Sequence, residues 1–443
     1  MRLAECSPVR LPVSRHILRS RSRSHARTAH IALFAVLMSL VVAGCGRRSS
    51  TLTPLTLPVL AASQASDPAV RIDPRDRSVI VVWLAGDRGS SRVWFARSRD
   101  RGKTWSAPVA VTPAGEPLAP NGEASPRLAC DGMGRVAVAW ATSVQVPGRE
   151  SPASDVRLSR SLDGGQTWSA PVTLNDDSAK GPAMHSFHDM AATEDGHLSV
   201  AWLDSRPGGD GLLPDSASAG DASVRYVMSW DFGGSWSGNS AQWSRACACC
   251  RVAVSMDFTG TLFLAFRRHF PGQVRDMVVA RPDGPPVRMF ADRWETADCP
   301  QSGPALRVPR DHTLRMAWFT GAPGRRGVWF RQAIPETFDS TLTPLPVLTG
   351  EHLPTVHVSI GTAGMSGTAI ACDADSTGGG RLTLVRVESS GQRIVERLTP
   401  GGIHEASRPQ VASTNRDRNA YVTWTESHAG GSSVRMLRWE LGR

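Results

Sequence analysis

One strand pattern recurs seven times along the chain of 443 residues, and this repeat limits the possible fold more than any other feature. Each copy is an alternating, largely apolar segment that ends in an aromatic residue or, once, in cysteine. Successive copies end between 52 and 64 residues apart. The segments, copies one to seven, are SVIVVW to Trp83, RVAVAW to Trp140, HLSVAW to Trp202, TLFLAF to Phe266, TLRMAW to Trp318, GTAIAC to Cys372 and NAYVTW to Trp424.

Three further short strands accompany each copy. A segment of the form Pro-x-apolar-x-apolar precedes it, as in PAVRI from Pro68, although His188 and Cys250 replace the proline in copies three and four. A third alternating segment and a short fourth one follow. The period of two, with turn residues between the segments, predicts an all-β chain of four-stranded antiparallel units. Seven units predict a seven-bladed β-propeller, and a six-bladed ring with one decayed copy is the alternative.

The two ends of the repeat region complement each other. Copy seven stops just after its third strand, whereas STLTPLTLPVL at 50–60 closely matches STLTPLPVL at 340–348, the fourth strand of copy five. We therefore expect the N-terminal strand to complete the last blade, so that no open sheet edge remains. The propeller domain is predicted to span residues 50–443.

The first 44 residues have the pattern of an export signal. A basic stretch precedes the apolar run IALFAVLMSLVVAG at 31–44, which is short for a membrane span, and Cys45 follows at once. The sequence VAGC is similar to a bacterial lipobox, which implies cleavage before Cys45 and lipidation of its thiol. We expect residues 1–44 to be a lipoprotein signal peptide and 45–49 a lipidated membrane tether in the bacterial cell envelope, facing the periplasm or in the outer membrane. An ordinary signal peptide is the alternative.

The basic charge of the chain does not indicate nucleic-acid binding. The formal net charge is +10, but residues 1–44 hold seven arginines against Glu5, a net of +6. The other 399 residues therefore carry only +4, without a basic stripe. Since affinity for phosphate backbones needs clustered cations, a generic DNA or RNA binder is excluded from the leading interpretations.

A short turn motif lies between the third and fourth strands of the first three copies. It reads SRDRGKTW with Asp100, SLDGGQTW with Asp163 and SWDFGGSW with Asp231. An aspartate that accepts backbone N–H groups and a glycine that permits a positive φ suit a tight hairpin. The motif resembles the Asp-box (BNR) repeats of the sialidase superfamily of propellers. In that superfamily the Asp box is structural and lies on the face opposite the ligand site.

If the chain shares sialidase chemistry, it should contain the catalytic residues of that superfamily. Sialidases use a tyrosine nucleophile, activated by a paired glutamate, and arginines that bind the substrate carboxylate. The chain has only two tyrosines, and both Tyr226 and Tyr421 fall inside predicted strands. Arg127 and Arg251, one residue after the proline position, are arginines that can face the channel. We find no catalytic Tyr–Glu pair.

Four cysteines cluster where copies four and five begin. CACC contains Cys247, Cys249 and Cys250, and Cys299 occupies the matching loop of the next copy. Disulfides that staple adjacent loops are the leading interpretation. A copper or zinc site formed with nearby histidines is one alternative and free thiols are another; apart from such a metal, no cofactor is expected. Cys130 and Cys372 are predicted to be core residues.

Other polar residues are predicted to converge on the channel mouth at copies three to five. Arginines, carboxylates and aromatic residues together favour an anionic or sugar ligand. We predict a lipid-anchored propeller that binds a glycan or another envelope ligand; an exo-α-sialidase-like glycoside hydrolase, an assembly scaffold and a soft-metal protein are the alternatives. The catalytic candidates are Asp189, Asp204 and Asp298, and the ligand-binding candidates are His185, His188, Arg206, Arg251, Arg267, Arg268, Trp294, His352 and His404.

Overall fold

The computed structural model describes residues 50–58, 64–86, 90–119, 122–148, 152–177, 181–206, 221–335, 338–364, 367–414 and 418–442. Within these ranges the chain forms twenty-eight β-strands and one 3₁₀ turn, Gly122–Ala124, so the all-β prediction is confirmed. The predicted signal peptide, Cys45 and the tether lie outside the described residues. No helix in the described ranges is long and apolar enough to cross a membrane.

The first half of the chain forms strands β1 to β13, all antiparallel to their neighbours. After β1 (Thr51–Leu55), three four-stranded groups follow in chain order. They are β2 (Ala65–Ile72), β3 (Val79–Ala85), β4 (Arg92–Ser98) and β5 (Val109–Ala110); β6 (Arg127–Cys130), β7 (Val136–Ala141), β8 (Val156–Ser161) and β9 (Val172–Thr173); and β10 (His185–Ala192), β11 (Leu198–Asp204), β12 (Asp221–Ser229) and β13 (Ser240–Cys247).

The second half repeats this arrangement. One pairing, Ala246 with Arg268, joins the third and fourth groups into an eight-stranded sheet, and the other sheets have four strands each. The remaining strands are β14 (Ala253–Met256), β15 (Leu262–Phe270), β16 (Val274–Ala280) and β17 (Val287–Arg288); β18 (Ala305–Arg307), β19 (Leu314–Thr320), β20 (Gly327–Ala333) and β21 (Leu345–Thr349); β22 (Val358–Ala363), β23 (Gly367–Asp375), β24 (Gly378–Val387) and β25 (Ile394–Leu398); and β26 (Ala406–Ser413), β27 (Asn419–His428) and β28 (Gly431–Glu440).

The N-terminal strand completes the last sheet, as predicted. β1 pairs with β28, with Thr51 opposite Glu440 and Leu55 opposite Met436, and the sheet order is β1-β28-β27-β26. The first strands of the successive groups, β2, β6, β10, β14, β18, β22 and β26, contact one another in that order, and β26 contacts β2. The chain therefore closes into a ring whose first strands surround a central channel.

Apolar side chains fill the spaces between neighbouring sheets. Trp202, at the end of the second strand of copy three, is completely buried among residues of copies two and three. Trp83, Trp140 and Trp318 occupy the equivalent positions and are also buried. Because each sheet is covered on both faces, the second strands read as nearly continuous apolar runs. Burying an indole of about 200 Å² contributes on the order of 5 kcal/mol, and this packing holds the ring of sheets together.

Candidate functional site

The three Asp boxes form self-contained turns at one end of the sheets. Asp163 accepts hydrogen bonds from the Ser161 hydroxyl (2.7 Å), the Thr167 amide (3.0 Å) and the Thr167 hydroxyl (2.5 Å). Gly165 has a φ of 97°, which residues other than glycine rarely adopt, and its amide donates to Ser161 Oγ at 2.7 Å. Asp100 makes the equivalent bonds with Ser98 and Thr104, and Asp231 makes them with Ser229 and Ser235.

In each turn the hydrogen bonds to the aspartate come from the motif's own residues. The side-chain and backbone hydrogen bonds from Thr104 lower the pKa of Asp100 to about 2, so this carboxylate stays ionised. The tryptophans that end the motifs pack against the sheets: Trp105, Trp168 and Trp236. In an antiparallel sheet, the turn after the first strand lies at the same end as the hairpin after the third. We call this end of the ring the Asp-box end.

The 3₁₀ turn Gly122–Ala124 closes the opposite end of the channel. Although Glu123 belongs to the loop that leads into β6, its Oε2 accepts the backbone N–H of Arg251 (3.0 Å) and of Gly303 (2.8 Å), which precede β14 and β18. Gly122 lies against the Arg408 side chain so closely that an added Cβ would overlap it. The turn therefore reaches across the ring and links copies two, four, five and seven. We call this end the closed end.

Ion pairs extend the closed end around the ring. His357 Nδ1 lies 2.6 Å from Asp373 Oδ2, which also accepts the Arg408 amide at 3.0 Å, and Arg408 Nε lies 3.2 Å from Asp67 Oδ1. Burial alone would lower the pKa of His357, but the charge and hydrogen bond of Asp373 outweigh it and raise the pKa to about 9. His357 is therefore a cation at neutral pH that pairs with Asp373 of its own copy, and Asp373 links copy six to copy seven through the Arg408 amide.

A cavity of about 510 Å³ occupies the channel between the two ends. Its walls are residues of all the first strands, and it extends to the exposed turns of the Asp-box end, including Phe258 and Arg310. Among the described residues, the first strands and the residues that lead into β14 supply four arginines and one carboxylate, Asp189, whereas the turns supply residues of both charges. The wall arginines are Arg71, Arg127, Arg251 and Arg307.

The wall arginines are incompletely paired. Asp189 lies 3.7 Å from Arg127 Nε and 3.8 Å from Arg251 Nη1, so one carboxylate is shared by two guanidinium groups. Arg127 is only 3% exposed, and burial together with the nearby Arg251 lowers its pKa to about 9. The hydrogen bond that Arg71 donates goes to the carbonyl of its neighbour Val70. The channel wall therefore has an excess of positive charge, which suits an anionic ligand.

The strand register explains why these side chains share the wall. Arg127 and Arg251 stand one residue after the proline position of their copies, and Arg71 and Arg307 stand three residues after Pro68 and Pro304. Positions one and three lie on the same face of a strand. Arg127 and Arg251 were predicted from the sequence to face the channel, whereas Arg71 and Arg307 were not. Both residues stand three positions after the proline of their copies, and this shared position is the sequence feature that could have identified them.

The predicted catalytic residue Asp204 and its neighbour Arg206 form a buried hydrogen-bonded group with Trp202. Trp202 Nε1 donates to Asp204 Oδ2 at 3.0 Å, and Arg206 donates to both Asp204 oxygens at 2.9 and 2.8 Å. Burial opposes ionisation of Asp204, but the Arg206 bonds and the nearby His185 outweigh it and lower the pKa. His185 Nε2 lies 3.0 Å from Asp177 Oδ2. A fully paired carboxylate with a lowered pKa is a poor general acid.

The same tryptophan–carboxylate–arginine arrangement recurs in two other copies. Trp318 Nε1 donates to Asp292 Oδ2 at 2.7 Å, and Arg325 donates to the other oxygen at 3.0 Å. Burial raises the pKa of Asp292. In copy two the members are Trp140, Glu116 and Arg157, with distances of 3.0 Å from Glu116 to each partner. Asp204 and Arg206 thus belong to a repeated packing device.

The remaining candidates do not converge on one site. Arg267 is 1% exposed, donates to the carbonyls of Ser302 and Phe319, and stacks on Trp294 at 4.8 Å. His188 is completely buried, and this burial lowers its pKa to about 3. The loop at 207–220 lies outside the described residues. Arg268 is half-buried, and the exposed candidates are Asp298, His352 and His404.

The cysteine cluster combines one disulfide with two thiols. Cys249 and Cys299 are bonded, with their Cα atoms 6.2 Å apart, so the loops before β14 and β18 are covalently linked. Cys247 and Cys250 are free and buried, and Cys247 is the last residue of β13 rather than part of the loop before the next strand. The positions of the cysteines predicted a disulfide between these loops, and one such bond, Cys249–Cys299, is present. Cys130, predicted to be core, partly lines the channel cavity.

Two groups in the described residues have the spacing of metal ligands. The donor atoms lie within 4.8 Å of one another in the group Cys247, Cys249 and Cys250 and in the group Asp177, His185 and Asp204. In the first group Cys249 is bonded to Cys299 in a disulfide, and in the second Asp204 accepts hydrogen bonds from Arg206. A copper or zinc ion therefore has incomplete donor sets at both places.

The two tyrosines are packed between sheets. Tyr226 is stacked on Trp243 with ring centroids 6.5 Å apart, and Tyr421 is buried in the cluster between the last and first sheets. Neither lines the channel cavity. The tyrosine-based chemistry that the sialidase resemblance implies has no nucleophile in the described channel wall.

Solved structures resemble this fold at low sequence identity. The polysaccharide lyase Uly1 matches with a TM-score of 0.52 and 12% identity, over 85% of this chain and 90% of that one. A Trypanosoma rangeli sialidase in complex with the inhibitor DANA matches with a TM-score of 0.50 and 12% identity, over 89% of this chain and 60% of that one. The chain has a sialidase-like propeller fold. No protein-family model and no curated protein matches the sequence.

Proposed function

We propose that the chain is a seven-bladed propeller that binds an anionic ligand in its central channel. The count of seven is supported by the seven first strands that contact in a closed ring. The observation that carries the binding proposal is the channel wall, where four arginines face one carboxylate, Asp189. A cavity of about 510 Å³ is within the range of small-molecule sites.

The ligand we propose is an acidic saccharide. Saccharide-active proteins such as a polysaccharide lyase and a sialidase share the fold, and arginine binds carboxylates through paired, charge-assisted hydrogen bonds. This proposal moves the predicted site from the mouth at copies three to five into the channel, because Asp204, Arg206 and Arg267 are engaged in packing. We propose binding rather than hydrolysis, since Asp189, Asp204 and Asp298 have no common partner and the tyrosines lie elsewhere.

Calorimetric titration tests the proposal directly. N-acetylneuraminate and galacturonate serve as acidic probes, and galactose serves as the neutral control. We expect the acidic sugars to bind and Arg71→Gln and Arg307→Gln each to weaken binding about tenfold, because each removes a charge-assisted hydrogen-bond donor. Arg99→Gln, on an exposed turn, should bind as the wild type does. Equal binding of galactose, or full binding by both channel variants, would contradict the proposal.

We also propose that the propeller is exported and tethered by lipid at Cys45. The support is the sequence VAGC after a short apolar run. Intact mass spectrometry of the protein isolated from a bacterial membrane fraction should show a chain that begins at a lipidated Cys45. Cys45→Ser should abolish both the added mass and the membrane association. A chain cleaved at another residue and released in soluble form would overturn this proposal.

A further inference from the structure

A buried thiol lies directly beside the disulfide that links copies four and five. Cys247 Sγ is 3.6 Å from Cys249 Sγ, and Cys249 is bonded to Cys299. Cys247 is 1% exposed, whereas Cys299 is exposed on its loop. The disulfide therefore has a free thiol next to one sulfur and solvent next to the other, which is the arrangement that intramolecular exchange requires.

The surroundings of Cys247 favour its thiolate, the form that attacks a disulfide. Arg275 Nη1 lies 3.3 Å from Cys247 Sγ, and the Cys250 thiol donates to the same sulfur across 3.7 Å. The hydrogen bond from Cys250, aided by His269 and the charges of Arg267 and Arg275, lowers the pKa of Cys247 against the opposing effect of burial. Burial raises the pKa of Cys250, so Cys250 keeps the proton that it donates.

Arg275 is itself held in place. It is buried, and its Nη2 donates to the carbonyl of Ala297 at 3.1 Å, two residues before Cys299. The guanidinium thus connects the thiol to the loop that contains the exposed sulfur. In our account Arg275 and Cys250 are positioning residues, and Cys247 and Cys299 are the reacting ones.

We propose that Cys247 exchanges with the Cys249–Cys299 disulfide and that the cluster is a thiol–disulfide exchange centre. The Cys247 thiolate attacks Cys249 Sγ, a Cys247–Cys249 bond forms, and the Cys249–Cys299 bond breaks. The electron pair leaves on Cys299 Sγ, which takes a proton from water. One disulfide is present before and after, so no oxidant or reductant is consumed.

The products place a reactive thiol on the surface. Cys299 is then free to exchange with a small or protein disulfide, R–S–S–R, forming Cys299–S–S–R and releasing one thiolate, while copies four and five lose their covalent link. The four cysteines of this cluster do not line the channel cavity, so this activity is independent of the proposed saccharide binding. Failure of one proposal leaves the other intact.

The test uses the complete chain, purified without reductant and labelled in its native state with N-ethylmaleimide. Trypsin cleaves after Arg245 and Arg251, which puts three cysteines on the peptide ACACCR, and it places Cys299 on a separate peptide, 294–307. We expect labelled Cys299 together with an ACACCR peptide that carries one internal disulfide, with Cys250 unlabelled because its thiol is buried in the native state. Labelled Cys299 with no internal disulfide in ACACCR would show simple reduction, and a cross-linked pair without label on Cys299 would show an inert disulfide; either result overturns the proposal.

Variants give a second test. Cys247→Ser should reduce labelling of Cys299 by more than about tenfold, because the attacking thiolate is gone. Cys372→Ser, which removes a buried cysteine of β23 far from the cluster in sequence, should label as the wild type does. Unchanged labelling of Cys299 in Cys247→Ser would contradict the proposal, as would copper or zinc bound in equimolar amount with all of ACACCR protected. If Cys247→Ser does not fold, the wild-type peptide pattern decides.

Discussion

At the two ends of the channel, polar groups find their hydrogen-bond partners in opposite ways. At the Asp-box end, each aspartate has its hydrogen-bond partners within its own eight-residue turn, as Asp163 has in Ser161 and Thr167. At the closed end, polar groups satisfy one another across copies, as Glu123 does with the amides of Arg251 and Gly303. The first arrangement is encoded in a repeat, and the second in residues that occur once. The channel wall between them is where charges are left incompletely paired, and a ligand is expected there.

The largest expected effect comes from breaking the closed end. Glu123→Ala leaves two buried amides without an acceptor, which should lower the free energy of unfolding by about 3 kcal/mol. Urea unfolding followed by tryptophan fluorescence measures the change. Glu123→Gln keeps an acceptor oxygen and should retain most of the stability. An unchanged midpoint for Glu123→Ala would show that the turn does not link the copies.

The next effect is a pH dependence specific to the closed end. Because the pKa of His357 is raised to about 9 from an ordinary 6.5, the folded chain holds a proton that the unfolded chain releases between these values. The stabilisation is complete below about pH 6.5 and is lost as the pH rises to 9, an effect on the order of 2 kcal/mol.

Urea unfolding at several pH values tests this dependence. Stability should fall from pH 6.5 to 9 in the wild type, and the fall should be smaller in His357→Gln. The control His428→Gln changes an exposed histidine of β27 and should keep the wild-type slope. Parallel profiles for the wild type and His357→Gln would show that the ion pair of His357 with Asp373 does not cause the pH dependence.

The smallest effect belongs to the Asp-box end. Asp163→Ala removes the acceptor of one exposed turn and should lower the free energy of unfolding by about 1 kcal/mol. Because the turn is self-contained, binding of acidic sugars in the channel should not change, which calorimetry checks. Weaker binding in Asp163→Ala would show that the Asp-box turns and the channel are coupled.

The repeated strands and turns could be predicted from the sequence, whereas contacts made by residues that occur only once could not. The strand copies, the Asp boxes and the pairing of 51–55 with the last sheet follow local patterns that periodicity and turn chemistry make visible. Glu123 bears no motif, since its partners are backbone amides more than a hundred residues away. Asp204 resembles a functional carboxylate in sequence, because its pairing with the Trp202 indole and Arg206 depends on side-chain directions that only the folded chain defines.

Anomalous diffraction from crystals soaked in selenate tests the central claim most directly, because it locates an oxyanion without assuming the natural ligand. The account predicts selenate inside the channel, hydrogen-bonded to at least one of Arg71, Arg127 and Arg307. The Arg71→Gln, Arg307→Gln double variant should weaken that peak. Selenate bound only outside the channel, beside exposed residues such as His352 and His404, would contradict the account.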